Sequence, residues 1–142
     1  MKIVVASDHA GYAYKEEIKK YLEAKGHRVT DVGTHSVDSC DYPDFSHAAA
    51  EKVASGEAEY GVLVCSSGEG IMIAANKHTG VRAGLAYNDD VARLMRQHNN
   101  ANMIAFGANF MALKDVLNRI DIFLATDFEG GRHERRVLKI EK

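Results

Sequence analysis

A cysteine in a glycine-containing turn is the residue of this sequence with the clearest capacity for chemistry. Cys65 ends the apolar run that starts at Tyr60, and Ser-Ser-Gly-Glu-Gly follows it at positions 66–70. This pattern predicts a strand that ends at the thiol, then a tight turn, then a helix. Unpaired N–H groups at a helix start favour an anion, and the same field favours a thiolate over a thiol. The turn therefore offers a base and a set of donors for developing negative charge.

A structural thiol or a standard phosphate-binding loop would also place a cysteine or glycines in such a turn. Free cysteine is often a small buried apolar residue, and that alternative stays open for Cys65. A Cys-x5-Arg phosphatase loop needs arginine at position 71, where the sequence has Ile71. A P-loop needs Gly-Lys-Ser/Thr, but Ile71 follows Gly70, and a dinucleotide fingerprint needs glycine where Ile73 stands.

Two pairs of neighbouring polar residues lie elsewhere in the chain. Asp8 and His9 directly follow the apolar run 2–7, as a helix cap or as an acid and an imidazole at a site. His98 and Asn99 lie in a polar segment at a predicted helix end, which is also a common place for solvated residues. An imidazole exchanges protons near neutral pH, and an asparagine amide donates to an oxyanion.

The tail carries a basic group of residues. Arg132 and Arg136 are four residues apart and share one face if the segment is helical. Two guanidinium groups on one face suit a phosphate dianion, although such runs are more often solvated surface. Tyr42 precedes the only proline, Pro43, and is either a pocket wall or a loop anchor.

Strand-like and helix-like segments alternate along the chain. Strands are predicted at 2–7, 28–32, 61–65, 81–86 and 101–106, and helices at 12–25, 45–55, 71–77, 89–98 and 111–124, with a loop at 34–44 and a short charged helix in the tail. This alternation predicts an α/β fold, a three-layer sandwich around a parallel sheet with helices on both faces. With the common strand order 2-1-3-4-5, strands one and three flank the ligand crevice, which would then receive Asp8, His9 and Cys65.

Composition narrows the class of protein. The 142 residues suit one domain over 1–142, and the net charge of −2 does not favour binding to nucleic acid or to an anionic membrane. No apolar run approaches the roughly 18 residues of a membrane span. The two cysteines form no Cys-x-x-Cys pair, which argues against a zinc ribbon, and we expect a cytoplasmic protein with free thiols.

The ordered set of motifs resembles one family, the type B ribose-5-phosphate isomerases with the related galactose-6-phosphate isomerase subunits. The matching segments are SDHAG at 7–11, DYP at 41–43, Cys65 with its turn, IAANK at 73–77, HN at 98–99 and GGRHERR at 130–136. The resemblance implies a Rossmann-like fold and an aldose–ketose isomerase of carbohydrate metabolism, in the pentose phosphate pathway. It further implies a small phosphorylated sugar as substrate, no metal or other cofactor, and a homodimer or a dimer of dimers with shared active sites.

The resemblance also implies catalytic roles. Cys65 matches the base that moves a proton between C2 and C1 of the sugar through an enediolate. His98, helped by Asp8, matches the residue that opens the furanose ring. Ser67 and Asn99 match donors to the enediolate oxygen.

Substrate-binding roles follow from the same resemblance. The phosphate ligands would be His9, Arg132 and Arg136, with both arginines supplied by the neighbouring subunit. The pocket would be completed by Tyr42, by Ser66 and by the backbone amides near Gly68 and Gly70.

Two positions depart from the family pattern. Ser66 stands where the family often has glycine in Gly-Thr-Gly, and it adds a side chain beside the thiol. Asn109 stands where many members have arginine in Phe-Gly-x-Arg. These departures leave open a 6-phosphate hexose, such as allose or galactose 6-phosphate, as the substrate. A non-catalytic protein that binds sugar phosphates is a further alternative, because fold does not decide function.

Overall fold

A five-stranded sheet with all strands parallel forms the centre of the molecule. The computed structural model describes residues 1–141, so residue 142 of the predicted domain lies outside it. The strands are β1 (Lys2–Ser7), β2 (Arg28–Asp31), β3 (Tyr60–Cys65), β4 (Ala83–Leu85) and β5 (Met103–Gly107). The helices are α1 (Tyr12–Ala24), α2 (Tyr42–Ala54), α3 (Glu69–Ala75), α4 (Asp89–Gln97), α5 (Leu113–Ala125) and α6 (Arg132–Leu138).

Both faces of the sheet are covered by helices because alternate strand residues point to opposite sides. One face presents buried Ile3, Val5, Val62, Val64, Ile104 and Phe106 to α1, α4 and α5. The other presents Val4, Ala6, Leu63, Cys65, Met103 and Ala105 to α2 and α3. The predicted three-layer α/β fold is therefore confirmed, and the Cys65 side chain belongs to the face that α2 and α3 cover.

The predicted strand order is wrong for the last two strands. The observed order is β2-β1-β3-β5-β4, so β5 lies beside β3 and β4 forms the edge. All five residues of β5 are buried, as an inner strand requires, whereas the three residues of β4 are half-buried. The amide of Asn76 occupies the outer side of β4, donating to the Ala83 carbonyl at 2.9 Å and accepting from its N–H at 2.8 Å. The predicted crevice between β1 and β3 is unaffected, but Cys65 now pairs with Gly107 of β5.

The helix α2 begins earlier than predicted. Tyr42 and Pro43 belong to its first turn, not to a loop. Proline is accepted there because the first N–H groups of a helix have no partner within the helix. Within residues 1–141, the helices are all too short or too polar to cross a membrane.

Candidate active site

The turn after β3 holds the Cys65 sulfur close to backbone donors. The Gly68 N–H donates to Sγ across 3.1 Å, and the thiol is buried. Gly68 has a φ of +86°, a conformation that side chains rarely adopt, and an added Cβ would lie 2.6 Å from the Leu85 side chain. The Ser67 hydroxyl oxygen accepts from the Glu69 N–H at 3.2 Å, which leaves its proton free. The turn thus places the Gly68 amide at the thiol and the Ser67 hydroxyl two residues along the chain.

Tyr42 forms one border of this turn. Its ring lies directly against Gly70, where an added Cβ would come within 2.7 Å of the ring. The buried Ser46 hydroxyl donates to the Ile71 carbonyl at 2.5 Å and so joins α2 to α3. The hydrogen bond keeps α2 beside α3, and the partly exposed Tyr42 ring lies at the border of the turn.

Asp8 and His9 lie beside the thiol turn because β1 and β3 are neighbours. The Asp8 N–H donates to the Val64 carbonyl at 3.2 Å, one residue from Cys65, and its carboxylate accepts from the Gly11 N–H at 3.0 Å. The Cys40 N–H donates to Nδ1 of His9 at 3.3 Å. A neutral His9 therefore carries its proton on Nε2, where it can be donated to an anion. We refer to Asp8, His9, Tyr42, Cys65 and the turn 66–70 as the thiol half-site.

A buried ion pair supports the end of β1 and was not singled out from the sequence. Lys15 is buried, and its Nζ lies 2.6 Å from the Asp31 carboxylate. The other Asp31 oxygen accepts from the Gly33 N–H at 2.9 Å, and the Gly33 carbonyl accepts from the Ser7 N–H at 2.8 Å. Burial opposes ionisation of Asp31, but hydrogen bonds from Lys15, Gly33 and Lys19 outweigh it and hold its pKa below the usual value. One signal was present in the sequence, since Lys15 shares the helical stripe of Ile18 and Leu22.

His98 lies at the amino-terminal end of the strands, whereas Cys65 lies at their carboxyl-terminal end. It directly follows α4, and Asn102, four residues later, accepts from the Gly61 N–H at the start of β3. Cys65 instead pairs with Gly107, the last residue of β5. The length of β5 is roughly 13 Å at about 3.3 Å per residue. The structure of one chain therefore does not bring His98 and Asn99 to the thiol half-site.

His98 is stacked on His133 of α6. The ring centroids are 4.3 Å apart, the ring planes differ by 13°, and Nε2 of His133 lies 3.4 Å from the Glu129 carboxylate. Burial, His98 and Arg132 together lower the pKa of His133. Single ligand atoms of His98, Glu129 and His133 lie within 4.8 Å of one another, a spacing that could hold a metal ion. The two ring planes, however, are nearly parallel, so the lone pairs of the two imidazoles lie in separate planes and do not share one plane with a common ion.

Arginines of α6 stand beside this stack. Arg132 and Arg136 are exposed, and in the described residues 1–141 neither forms an ion pair within the chain. A cavity of ≈ 340 Å³ opens there, lined by His98, Asn99, His133, Arg136, Val137 and Ile140. We refer to His98, Asn99, Arg132, His133 and Arg136 as the imidazole half-site. Its free guanidinium groups and imidazole suit an anion at its mouth.

The sequence over residues 3–140 matches the family model described as Ribose/Galactose Isomerase. The chain belongs to the ribose/galactose isomerase family. Family membership confirms the predicted class of enzyme, an isomerase.

Individual relatives agree over nearly the whole chain. Ribose-5-phosphate isomerase B of Escherichia coli is 42% identical over 96% of this chain and 91% of its own length. The structure of Clostridium thermocellum ribose-5-phosphate isomerase B has a TM-score of 0.98 and 47% identity, covering 99% of this chain and 95% of that one. The Mycoplasma genitalium enzyme with bound ribulose-5-phosphate has a TM-score of 0.95 and 40% identity, covering 99% and 93%. The ribose/galactose isomerase fold thus accounts for the described chain from end to end.

Proposed function

We propose that this protein interconverts ribose 5-phosphate and ribulose 5-phosphate. The observation that carries the proposal is the Cys65 sulfur held 3.1 Å from the Gly68 amide, beside Asp8 at the crevice between β1 and β3. Relatives named as ribose-5-phosphate isomerases over more than nine-tenths of this chain support the pentose phosphate as substrate.

Cys65 acts as the base in the proposed reaction. The thiolate takes the proton from C2 of the open-chain aldose, and the C1 carbonyl becomes part of an enediolate. The same thiol returns the proton to C1 while the hydroxyl proton of O2 passes to O1, which leaves a ketone at C2. Stabilising the enediolate oxygen is the main requirement, and a single well-placed donor contributes about 3 kcal/mol. The amides near Gly68 and Gly70 and the Ser67 hydroxyl are suited to that role.

Ring opening and phosphate binding need the imidazole half-site. In the proposal His98, assisted by Asp8, moves the proton that opens the furanose, and Asn99 adds a donor to the oxyanion. Arg132 and Arg136 bind the phosphate together with His9, and this remote binding orients the reacting carbons. The two half-sites of one chain lie at opposite ends of its strands, so they cannot form one site. A second copy of the chain must supply the other half-site. An isologous dimer, in which each copy completes the other's site, meets this requirement.

A 6-phosphate hexose is the second candidate substrate. The matching family is named for both ribose and galactose isomerases. The proposed chemistry of Cys65 applies to either sugar, since the same proton transfer between C2 and C1 is needed.

A substrate panel tests the proposed function. Purified protein is treated with a chelator and given ribose 5-phosphate, allose 6-phosphate or galactose 6-phosphate while ketose formation is followed. We expect the highest kcat/KM with ribose 5-phosphate and no loss of turnover after chelation. Binding without turnover of any sugar would refute an isomerase role, and a higher kcat/KM with a hexose phosphate would replace the proposed substrate.

A further inference from the structure

A side-chain hydrogen bond joins the turn after β3 to the turn after β5. Nδ2 of Asn109 donates to Oγ of Ser66 across 2.7 Å, and the Asn109 backbone N–H donates to the Ser66 carbonyl at 3.1 Å. The residue before Asn109, Ala108, donates its N–H to the Cys65 carbonyl at 2.9 Å. Backbone hydrogen bonds therefore join the turns after β3 and β5, and Asn109 also holds the side chain of Ser66, the residue that follows Cys65.

The Ser66–Asn109 pair has no evident role in the core. Ser66 is half-buried and Asn109 is exposed, so neither side chain fills internal space. Among residues 1–141, no other side chain or backbone group bonds to the Ser66 hydroxyl or to the Asn109 side chain. Both residues are uncharged, so the pair adds a hydrogen-bonded polar surface at the residue after Cys65 without adding a cation for a phosphate.

The thiol turn is bordered on two sides. The Tyr42 ring lies against Gly70 on the α2 side, and the Ser66–Asn109 pair lies on the β5 side. A ligand bound across this turn would lie between these two borders. Ser66 without its hydrogen bond would be free to change rotamer and give way, whereas the bonded side chain resists displacement.

We propose that the Ser66–Asn109 pair selects five-carbon over six-carbon sugar phosphates, an inference that rests on the function proposed above. The thiol must meet C1 and C2 of the sugar, while the phosphate must meet the cationic groups at the other end. A hexose 6-phosphate places one more CHOH unit between these points, and a fixed wall beside the thiol resists that added length. A difference of one carbon in a shaped pocket changes kcat/KM by about 10- to 200-fold.

The contact also accounts for the presence of both departures from the family pattern in the same chain. Ser66 and Asn109 are 43 positions apart, yet the order β3-β5 places them side by side. Each side chain is the partner of the other, so changing either one removes the same hydrogen bond. Their effects on substrate choice should therefore be coupled and not independent.

The test compares ribose 5-phosphate with allose 6-phosphate in four variants. These are Ser66→Gly, Asn109→Ala, the double variant and Asn118→Ala, a matched control whose exposed amide bonds to Asp89. For each protein we measure kcat/KM for both sugars and the Ki of allose 6-phosphate against ribose 5-phosphate turnover. We expect each pair variant to shift the preference toward the hexose by about tenfold, with the double variant no further shifted than the larger single one. The control should keep the wild-type preference.

The outcomes separate this inference from the proposed function. Wild-type protein that fails to turn over ribose 5-phosphate overturns both. Normal ribose 5-phosphate turnover, with preferences and Ki values in the pair variants within about twofold of the control, overturns the specificity role alone. Shifts that simply multiply in the double variant overturn the claim that the hydrogen-bonded pair acts as one unit.

Discussion

Cys65 and His98 lie at opposite ends of β5. Cys65 pairs with Gly107, the last residue of that strand, whereas His98 precedes its first residue by five positions. The same chain thus carries a thiol half-site at the carboxyl-terminal end of the strands and an imidazole half-site at their amino-terminal end. This arrangement leads directly to a test of whether two chains share each site.

Mixed oligomers of two inactive variants should regain activity. We expect Cys65→Ala and His98→Ala each to lose about 10²- to 10⁴-fold in kcat, as is usual for a missing general acid or base. Refolding an equal mixture should restore about a quarter of wild-type activity, because half of the dimers are hybrids with one intact site of two. Each variant refolded alone is the control. A mixture no more active than its components would show that no site is built from Cys65 of one chain and His98 of another.

Loss of the thiol should affect chemistry more than binding. In Cys65→Ala, the proposed proton carrier is absent while the groups that hold the phosphate are unchanged. We expect kcat to fall by at least about 10²-fold, with the affinity for ribose 5-phosphate, measured by calorimetry, within about threefold of wild type. Near-normal turnover in this variant would remove Cys65 as the base.

An arginine of α6 should act on phosphate binding. Replacing Arg132 by alanine removes a charged donor, and such hydrogen bonds contribute about 1.5–3 kcal/mol. We expect KM for ribose 5-phosphate to rise by about 10- to 100-fold with a smaller change in kcat. Arg135→Ala, on the same exposed helix but outside the proposed phosphate site, is the matched control. Equal effects of the two substitutions would indicate a general effect of net charge.

The buried lysine beneath the thiol half-site should matter for stability. Lys15→Met removes the buried cation 2.6 Å from Asp31 but leaves Lys19 at 3.0 Å, so we expect it to lower the free energy of unfolding by up to about 3 kcal/mol, the lower bound for an uncompensated buried charge. Lys20→Met removes an exposed cation 3.7 Å from Glu17 and should change the free energy of unfolding by less than about 1 kcal/mol. Urea unfolding of both variants checks this difference. A Lys15 variant as stable as the Lys20 variant would contradict it.

The stacked His133 should make the fold sensitive to mild acid. Its pKa is held below the usual value of 6.5, so the unfolded chain binds more protons as the pH falls through that value. The free energy of unfolding should therefore decrease between about pH 7.5 and about pH 5.5. In His133→Phe, which keeps an aromatic ring against His98, the decrease should be smaller. His27, whose pKa burial also lowers, is present in both proteins, and parallel pH curves would rule out the His133 contribution.

Local pattern was sufficient for most of the elements and for the turn after Cys65. The continuous apolar runs of β1 and β3 are properties of neighbouring residues, and they led to two correct strands that lie side by side. The position of β4 was not predicted because strand order depends on which segment is buried on both sides. Tyr42 was assigned to a loop because proline usually breaks helices, although it is accepted in the first turn.

The sequence by itself determined the residue types that can do chemistry, the parallel α/β architecture and the resemblance to one family of isomerases. These depend on short-range periodicity and on motifs that stay readable in one dimension. Only the tertiary structure decided that β5 pairs with β3, that Ser66 bonds to Asn109, and that His98 and Cys65 lie at opposite ends of the strands. Those relationships arise from the packing of segments distant in sequence, where burial of whole strands outweighs any local preference.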